Sequence, residues 1–274
     1  RRPERIMVKK IASRVYMGLI FLFLYLPIVV LIVLSFNNSK SKVKWGGFTL
    51  NWYIKCFQSE RIMSAFSTTL QITLLAAVIS TIIGTLAAMG ISAMKKRNQT
   101  IYLGATNIPM LNADIVTGIS MMLLFVFVGA LVNVKEVLGF TTLLIAHVTF
   151  CLPYVILNVM PKLRQFDMNV YEAAVDLGCK PFKAFMKVVM PEIMNGIITG
   201  CIMSFTLFLD DFIISYFTNG PSFQTLPIYI FSLTKKRVKP DMFALSTLMF
   251  LVILVLLIFM NVAQTRAEKK EAAK

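Results

Sequence analysis

An all-α membrane protein with six transmembrane helices and both termini in the cytoplasm is the fold class that this sequence predicts. Three observations lead to it. The 274-residue chain has a mean hydropathy of +0.75 and is 57% hydrophobic, too apolar for a soluble domain of that length. Its apolar residues gather in stretches of about 20, the length a helix needs to cross the hydrocarbon core of a bilayer. The net charge of +15 collects beside those stretches rather than on one soluble face. That surplus is read as a topology signal and not as a nucleic-acid surface.

The elements follow in order. Residues 1–15 carry Arg1, Arg2, Arg5, Lys9, Lys10 and Arg14 and are read as a cytoplasmic segment ahead of a membrane domain at 16–264. Span one is set at 16–36, with Pro27 near its centre as a kink site. The outer loop after it holds Trp45, Trp52 and Tyr53, aromatic residues suited to the membrane–water boundary. Span two, 65–94, repeats small residues every fourth position at Ala76, Ser80, Gly84 and Ala88, a face for close helix packing. The basic turn Lys95-Lys96-Arg97 leads to span three, 101–131, interrupted by Pro109 and carrying Asp114 in its interior. A short outer loop with Lys135 and Glu136 precedes span four, 141–160, which contains His147 and Pro153. A polar loop at 161–195 separates it from span five, 196–217, whose Gly196, Gly200 and Ser204 form a second small-residue face. The outer loop 218–242 begins with the turn signal Asn219-Gly220-Pro221. Its apolar run at 226–231 is too short to span and is expected to be a short helix or re-entrant piece. Span six, 243–264, ends in a charged tail at 265–274.

Charge bias orients these spans. Lys and Arg number 18 in the N-terminal segment, the 95–100 turn, the 161–195 loop and the tail, against 10 in the three outer loops. Basic residues beside spans stay inside, so both termini and the polar loop are placed in the cytoplasm. Cys56, Cys151, Cys179 and Cys201 lack metal-type spacing and are read as reduced and structural. The sequence begins Arg1-Arg2, with Met7 a candidate native start. The first apolar segment is long and no small-residue cleavage site follows it, so it is read as a retained span.

The polar loop has its own internal logic. Residues 170–191 read as two short helices joined by a corner. Asn169 and Glu172 have the spacing of a capping box, Gly178 suits a left-handed helix end, and Pro181 suits the first position of the next helix. Leu177, Phe182, Phe185 and Val189 are expected to form an apolar underside, with Lys180, Lys183 and Lys187 exposed. Glu172-Ala173-Ala174, then Gly178, nine residues, and Val188-Val189-Met190-Pro191 resemble the EAA motif of permease subunits in ATP-binding-cassette importers. Val188 stands for the usual Ile and Met190 for the usual Leu, with both spacings intact. The resemblance implies the type I importer permease fold. It also implies that Glu172, Ala173, Ala174, Gly178 and Pro191 belong to the element that couples a cytoplasmic ATPase to the membrane domain.

The acidic residues inside the spans are costly. An ionised Asp deep in a bilayer costs about 2.5–3.5 kcal/mol on insertion scales. Asp114, Asp210 and Asp211 therefore need a purpose. Spans three and five both start at the cytoplasmic face, so all three acids fall at middle to outer depth and can line one cavity. Neighbouring helical residues differ by about 100° in direction, so at most one of Asp210 and Asp211 faces its centre. Uncompensated carboxylates favour a cation. Spaced acids, with Phe208, Phe212 and Tyr216 offering ring faces, suit a flexible polyamine. The competing reading makes the acids structural ion pairs or helix-terminus ligands, and the rings ordinary packing.

A second resemblance bears on this. Residues 205–212, with Gly220-Pro221-Ser222-Phe223 and Leu226-Pro227 after them, resemble the corresponding region of spermidine/putrescine importer permeases. That family implies a bacterial plasma-membrane protein whose Asp114, Asp210 and Asp211, with Trp52, lie on the substrate path. It implies a second permease subunit, two ATPase subunits that bind the ATP and Mg, and an extracytoplasmic polyamine-binding protein. This chain holds no P-loop and no nucleophile–base set, so it is read as non-catalytic, without a cofactor or metal of its own. His147 is read as a hydrogen-bonded packing residue. Another small cation or solute as cargo, or a proton-coupled carrier using Asp114 and Asp210 as relays, are the alternatives.

Overall fold

The computed structural model describes residues 2–39, 44–134, 136–221, 223–235 and 240–272. The side chains of residues 2–12, Asp210, 263–264 and 266–272 lie outside that description, as do Lys135 and Ser222 entirely. The secondary structure is helical, apart from one isolated bridge between Asn37 and Phe48 among the described residues. Among the described residues, six helical segments are long and apolar enough to cross a membrane: Ser13–Ser35, Glu60–Ser92, Asp114–Leu131, Phe140–Gln165, Pro181–Leu209 and Pro240–Val262. The chain divides into two compact units, Arg1–Met63 with Ile230–Val252, and Ser64–Tyr229 with Ile253–Lys274.

In the first unit, α1 (Arg2–Ser35) runs without a break from the basic segment into span one. The outer loop after it is ordered by its own polar groups. Asn37, almost fully buried, donates to the Lys44 carbonyl at 3.0 Å and accepts from the Gly46 amide at 2.8 Å. Helix α2 (Asn51–Gln58) follows, and Tyr53 reaches back to Ser35 with 2.6 Å between their oxygens.

The second unit is built on small residues. In α3 (Glu60–Ser92), Ala76, Ser80, Gly84 and Ala88 are all buried, as their spacing predicts. Two of the hydroxyls buried with them bond back along the helix, Thr69 donating to Ala65 and Thr81 to Ala77. Helix α6 (Phe140–Gln165) and helix α9 (Met190–Asp210) pack closely. A Cβ on Gly196 would sit 2.8 Å from the Asn158 carbonyl, and one on Gly200 3.2 Å from Val155 Cα. Val155, fully buried, also fills the space left at Gly84. A core of Ala76, Ala77, Ala146, Phe150, Cys151, Phe205 and Phe208 lies at one level, and Ala88, Ile91, Ile156 and Val159 belong to a second cluster.

Several sequence expectations are corrected. Span three is two helices, α4 (Lys96–Leu111) and α5 (Asp114–Leu131), separated by the extended residues Asn112 and Ala113. Asp114 thus opens a helix instead of lying inside one. Span five starts earlier and stops at Asp210. Asp211 and Phe212 form a break before the short α10 (Ile213–Thr218), so Phe208, Phe212 and Tyr216 do not share one continuous helix. The corner between spans four and five comprises α7 (Met168–Asp176) and α8 (Pro181–Ala184), then a π turn at Phe185–Val189 that runs into α9. The run at 226–231 lies in α11 (Leu226–Lys235), and α12 (Pro240–Ala272) carries span six into the tail.

Candidate functional site

The break after α9 is where the acidic side chain of Asp211 meets buried polar ones. Asp211 stays close to the start of α10 because its carboxylate takes the free amides there: Oδ2 accepts from Ser215 N–H at 2.8 Å and Oδ1 from Ile214 N–H at 3.3 Å. Ser215 Oγ lies 3.1 Å from Oδ2. His147, from α6, brings Nε2 to 3.3 Å from the same oxygen and 3.1 Å from Ser215 Oγ. Its Nδ1 lies 2.7 Å from the Leu143 carbonyl, and its ring packs on Phe208 at 4.9 Å between centroids. His147 and Asp211 are 3% and 11% exposed, so this cluster is nearly closed off within the chain.

The other end of α10 is also fixed to α6. Thr142 Oγ1 donates to the Thr218 carbonyl at 3.2 Å and accepts from the Gly139 N–H at 2.8 Å. Gly220 passes so close to the Leu138 carbonyl that no Cβ fits there. Helix α5 then packs on α10. Gly118 permits that approach, since a Cβ there would lie 3.0 Å from Phe217. Asp114, four residues earlier, is exposed at the first turn of α5. Asp210 contributes its backbone to the last residue of α9; its side chain is outside the described residues.

Trp52 belongs to the other unit. Its indole Nε1 donates to the Asn37 carbonyl at 2.9 Å, and Lys55 Nζ lies 4.8 Å from the ring centroid. The ring is held in the ordered outer loop by these two contacts.

The corner after α7 is a well-formed helix stop. Gly178 has φ +90°, the left-handed conformation that side-chain-bearing residues resist. Its N–H donates to Val175 at 2.9 Å and the Cys179 N–H to Ala174 at 3.1 Å, the paired bonds of a Schellman motif. Pro181 opens α8 as expected. The cap of α7 is Asp167, which accepts from Asn169 N–H at 3.0 Å, not the Asn169–Glu172 box that spacing suggests. Glu172 and Ala173 are exposed and Ala174 is half-buried. Val189 is buried, but Leu177 and Phe182 are 89% and 77% exposed, so they do not form the expected underside. The π turn ahead of α9 has Met190 N–H donating to the Phe185 carbonyl. Pro191 has no N–H to bond Lys187, and its ring would press on that carbonyl in a regular helix.

A chain that commits its helices to spans and its long inner loop to a rigid corner has the build of a membrane transport subunit. Residues 80–272 match the family of binding-protein-dependent transport system inner membrane components, and the chain belongs to that family. It is 36% identical over 252 residues to the spermidine/putrescine transport system permease protein PotC of Escherichia coli K12, covering 92% of this chain and 93% of that one. It is 38% identical over 229 residues to the putrescine transport system permease protein PotI of the same strain, covering 83% and 82%. A solved bacterial ABC transporter involved in the import of the acidic polysaccharide alginate shares the fold, with a TM-score of 0.73 at 15% identity over 93% of this chain and 95% of that one. The protein is therefore a non-catalytic, multi-pass permease subunit of an ABC importer in the bacterial plasma membrane. It works with a second permease subunit and with cytoplasmic ATPase subunits.

His147 is the buried, hydrogen-bonded packing residue that the sequence suggests, and its partners include an acid that is distant in sequence: Asp211 lies against it, 64 positions along the chain. The usable signal was that a polar ring in an apolar span requires a partner, and Asp211 and Ser215 were the nearest polar groups on another span.

Proposed function

We propose that this permease forms half of a translocation pore for polyamines, spermidine or putrescine, delivered by an extracytoplasmic binding protein. The observation that carries this reading is Asp114, exposed at the start of α5, which packs on α10, the short helix that follows Asp210 and Asp211. Asp114 and Asp210 are the carboxylates assigned to the cargo's ammonium groups, and Trp52 offers an aromatic face in the outer loop. Asp211 belongs to the same break, with its carboxylate already engaged by Ser215, Ile214 and His147. The likeness to permeases named for spermidine and putrescine supports the same cargo. The fold alone does not select it, since a transporter of acidic polysaccharide shares that fold.

The corner at 170–191 is the coupling element in this reading. Exposed Leu177 and Phe182 project beside Glu172 from a helix stop that cannot flex easily, a suitable surface for an ATPase groove. An ATPase that closes on ATP switches the pore only through different affinity for its two states. Neutralising the path acids tests the cargo. Asp114→Asn with Asp210→Asn should raise the KM for spermidine uptake by about tenfold or more, as loss of charged partners costs. Unchanged KM at equal membrane levels would remove both residues from the path.

A further inference from the structure

We infer that His147, bearing a proton on each ring nitrogen, is the chain's own counter-ion for Asp211, and that Asp211 is a positioning residue rather than a ligand of the cargo. The role assigned against the cargo rests on the polyamine reading; the pairing does not. Nδ1 faces the Leu143 carbonyl at 2.7 Å, and a carbonyl only accepts, so Nδ1 carries hydrogen. Nε2 faces Asp211 Oδ2 at 3.3 Å and Ser215 Oγ at 3.1 Å. With one ring proton, the Nε2 lone pair would point at a carboxylate oxygen in a site from which water is nearly excluded. Ser215 has a single hydroxyl hydrogen and cannot bridge both its 3.1 Å contacts at once. A second proton on Nε2 resolves the triangle. Nε2–H and Ser215 O–H both donate to Oδ2, beside the Ser215 backbone amide at 2.8 Å.

Such a pair is neutral overall, and it joins α6 to the start of α10. Thr142 joins the same two helices at the other end of α10. Helix α5 leans on α10 through Gly118, and Asp114 lies one turn before that contact. His147 and Asp211 together therefore set where Asp114 stands. A carboxylate already saturated by an imidazolium, a hydroxyl and two amides offers little to a passing ammonium group. Asp114, exposed, is left to meet it.

The two roles for Asp211 separate on one conservative change. In Asp211→Asn, with the amide oxygen in place of Oδ2, the Ser215 N–H keeps its acceptor and the Ser215 hydroxyl can turn to donate to Nε2 of a neutral His147, while the Ile214 N–H loses its acceptor. In the complete importer with its partner subunits, Asp211→Asn should keep the KM for spermidine within about twofold of the parent. The melting temperature of the purified complex should fall, but by less than in Asp211→Ala. Asp211→Ala and His147→Ala should each lower that temperature by several degrees, and Asp211→Ala should lower maximal uptake about tenfold without rescue by more substrate. A large rise in KM for Asp211→Asn at unchanged melting temperature would make Asp211 a cargo ligand and overturn the assignment. Parent-like melting of both alanine variants would overturn the pairing. If the parent complex carries no polyamine, the cargo reading falls, and the melting temperatures still decide the pairing.

Discussion

Burial acts on single side chains here in opposite ways. His147 and Asp211 bury charge by sharing it, and removing one partner of a buried ion pair typically costs about 3–5 kcal/mol because the other is left uncompensated. Cys56 is buried without a charge partner. Only 2% exposed in α2, its thiol is pushed up to about 11, by desolvation first and by the negative charge of Asp241 second. At pH 7 that leaves a thiolate fraction of about one in ten thousand. Cys56 should therefore resist maleimide in the intact importer at pH 7 and react only after denaturation. Cys179, half-buried at the corner, should be labelled first from the cytoplasmic side. Rapid labelling of Cys56 in the intact complex, read by mass spectrometry, would contradict the packing of α2.

At the scale of elements, the helices meet where glycine lets them. Gly196→Ala forces a Cβ against the Asn158 carbonyl, which is backbone and cannot rotate away, so α6 and α9 must separate. The cost should be about 1–3 kcal/mol, seen as lower thermal stability of the purified complex. Gly90→Ala has open space and a helical position, so it should be neutral or stabilising by about 0.5–1 kcal/mol. Equal effects of the two changes would mean that the glycines are not packing positions. These faces were legible in the sequence because small residues at every fourth position have one main use in a membrane helix. Gly178 and Pro181 were legible for a similar reason, since each backbone conformation strongly selects its residue. The breaks at Asn112–Ala113 and Asp211–Phe212 were not. Pro109 marks the first only approximately, three residues ahead of it, and the groups that stabilise the second, His147 above all, come from a different span. The cap at Asp167 was missed because Asn169 and Glu172 offered an equally regular spacing two residues on. Leu177 and Phe182 were assigned to an underside because apolar side chains ordinarily find cover within their own chain. On a subunit built to receive a partner, they remain exposed.

At the scale of the whole molecule, the acidic break and the cytoplasmic corner share one helix. The π turn at Phe185–Val189 leads from the corner into α9, and α9 ends at Asp210. A displacement of the corner thus has a continuous helical route to the carboxylates. The residue on which that route depends most directly is Gly178. Proline cannot adopt its φ of +90°, and it lacks the N–H that Gly178 donates to Val175. The decisive measurement is ATP-dependent uptake of labelled spermidine, with unlabelled putrescine as competitor. It would be made in transporter-deficient cells that express this chain with its neighbouring subunits, beside a Gly178→Pro version at the same membrane level. ATP-driven import by the parent, competed by putrescine and lost in Gly178→Pro, is the result expected of a polyamine permease coupled through its corner. Uptake by Gly178→Pro at the parental rate, or no polyamine uptake by an assembled complex that hydrolyses ATP, would contradict it.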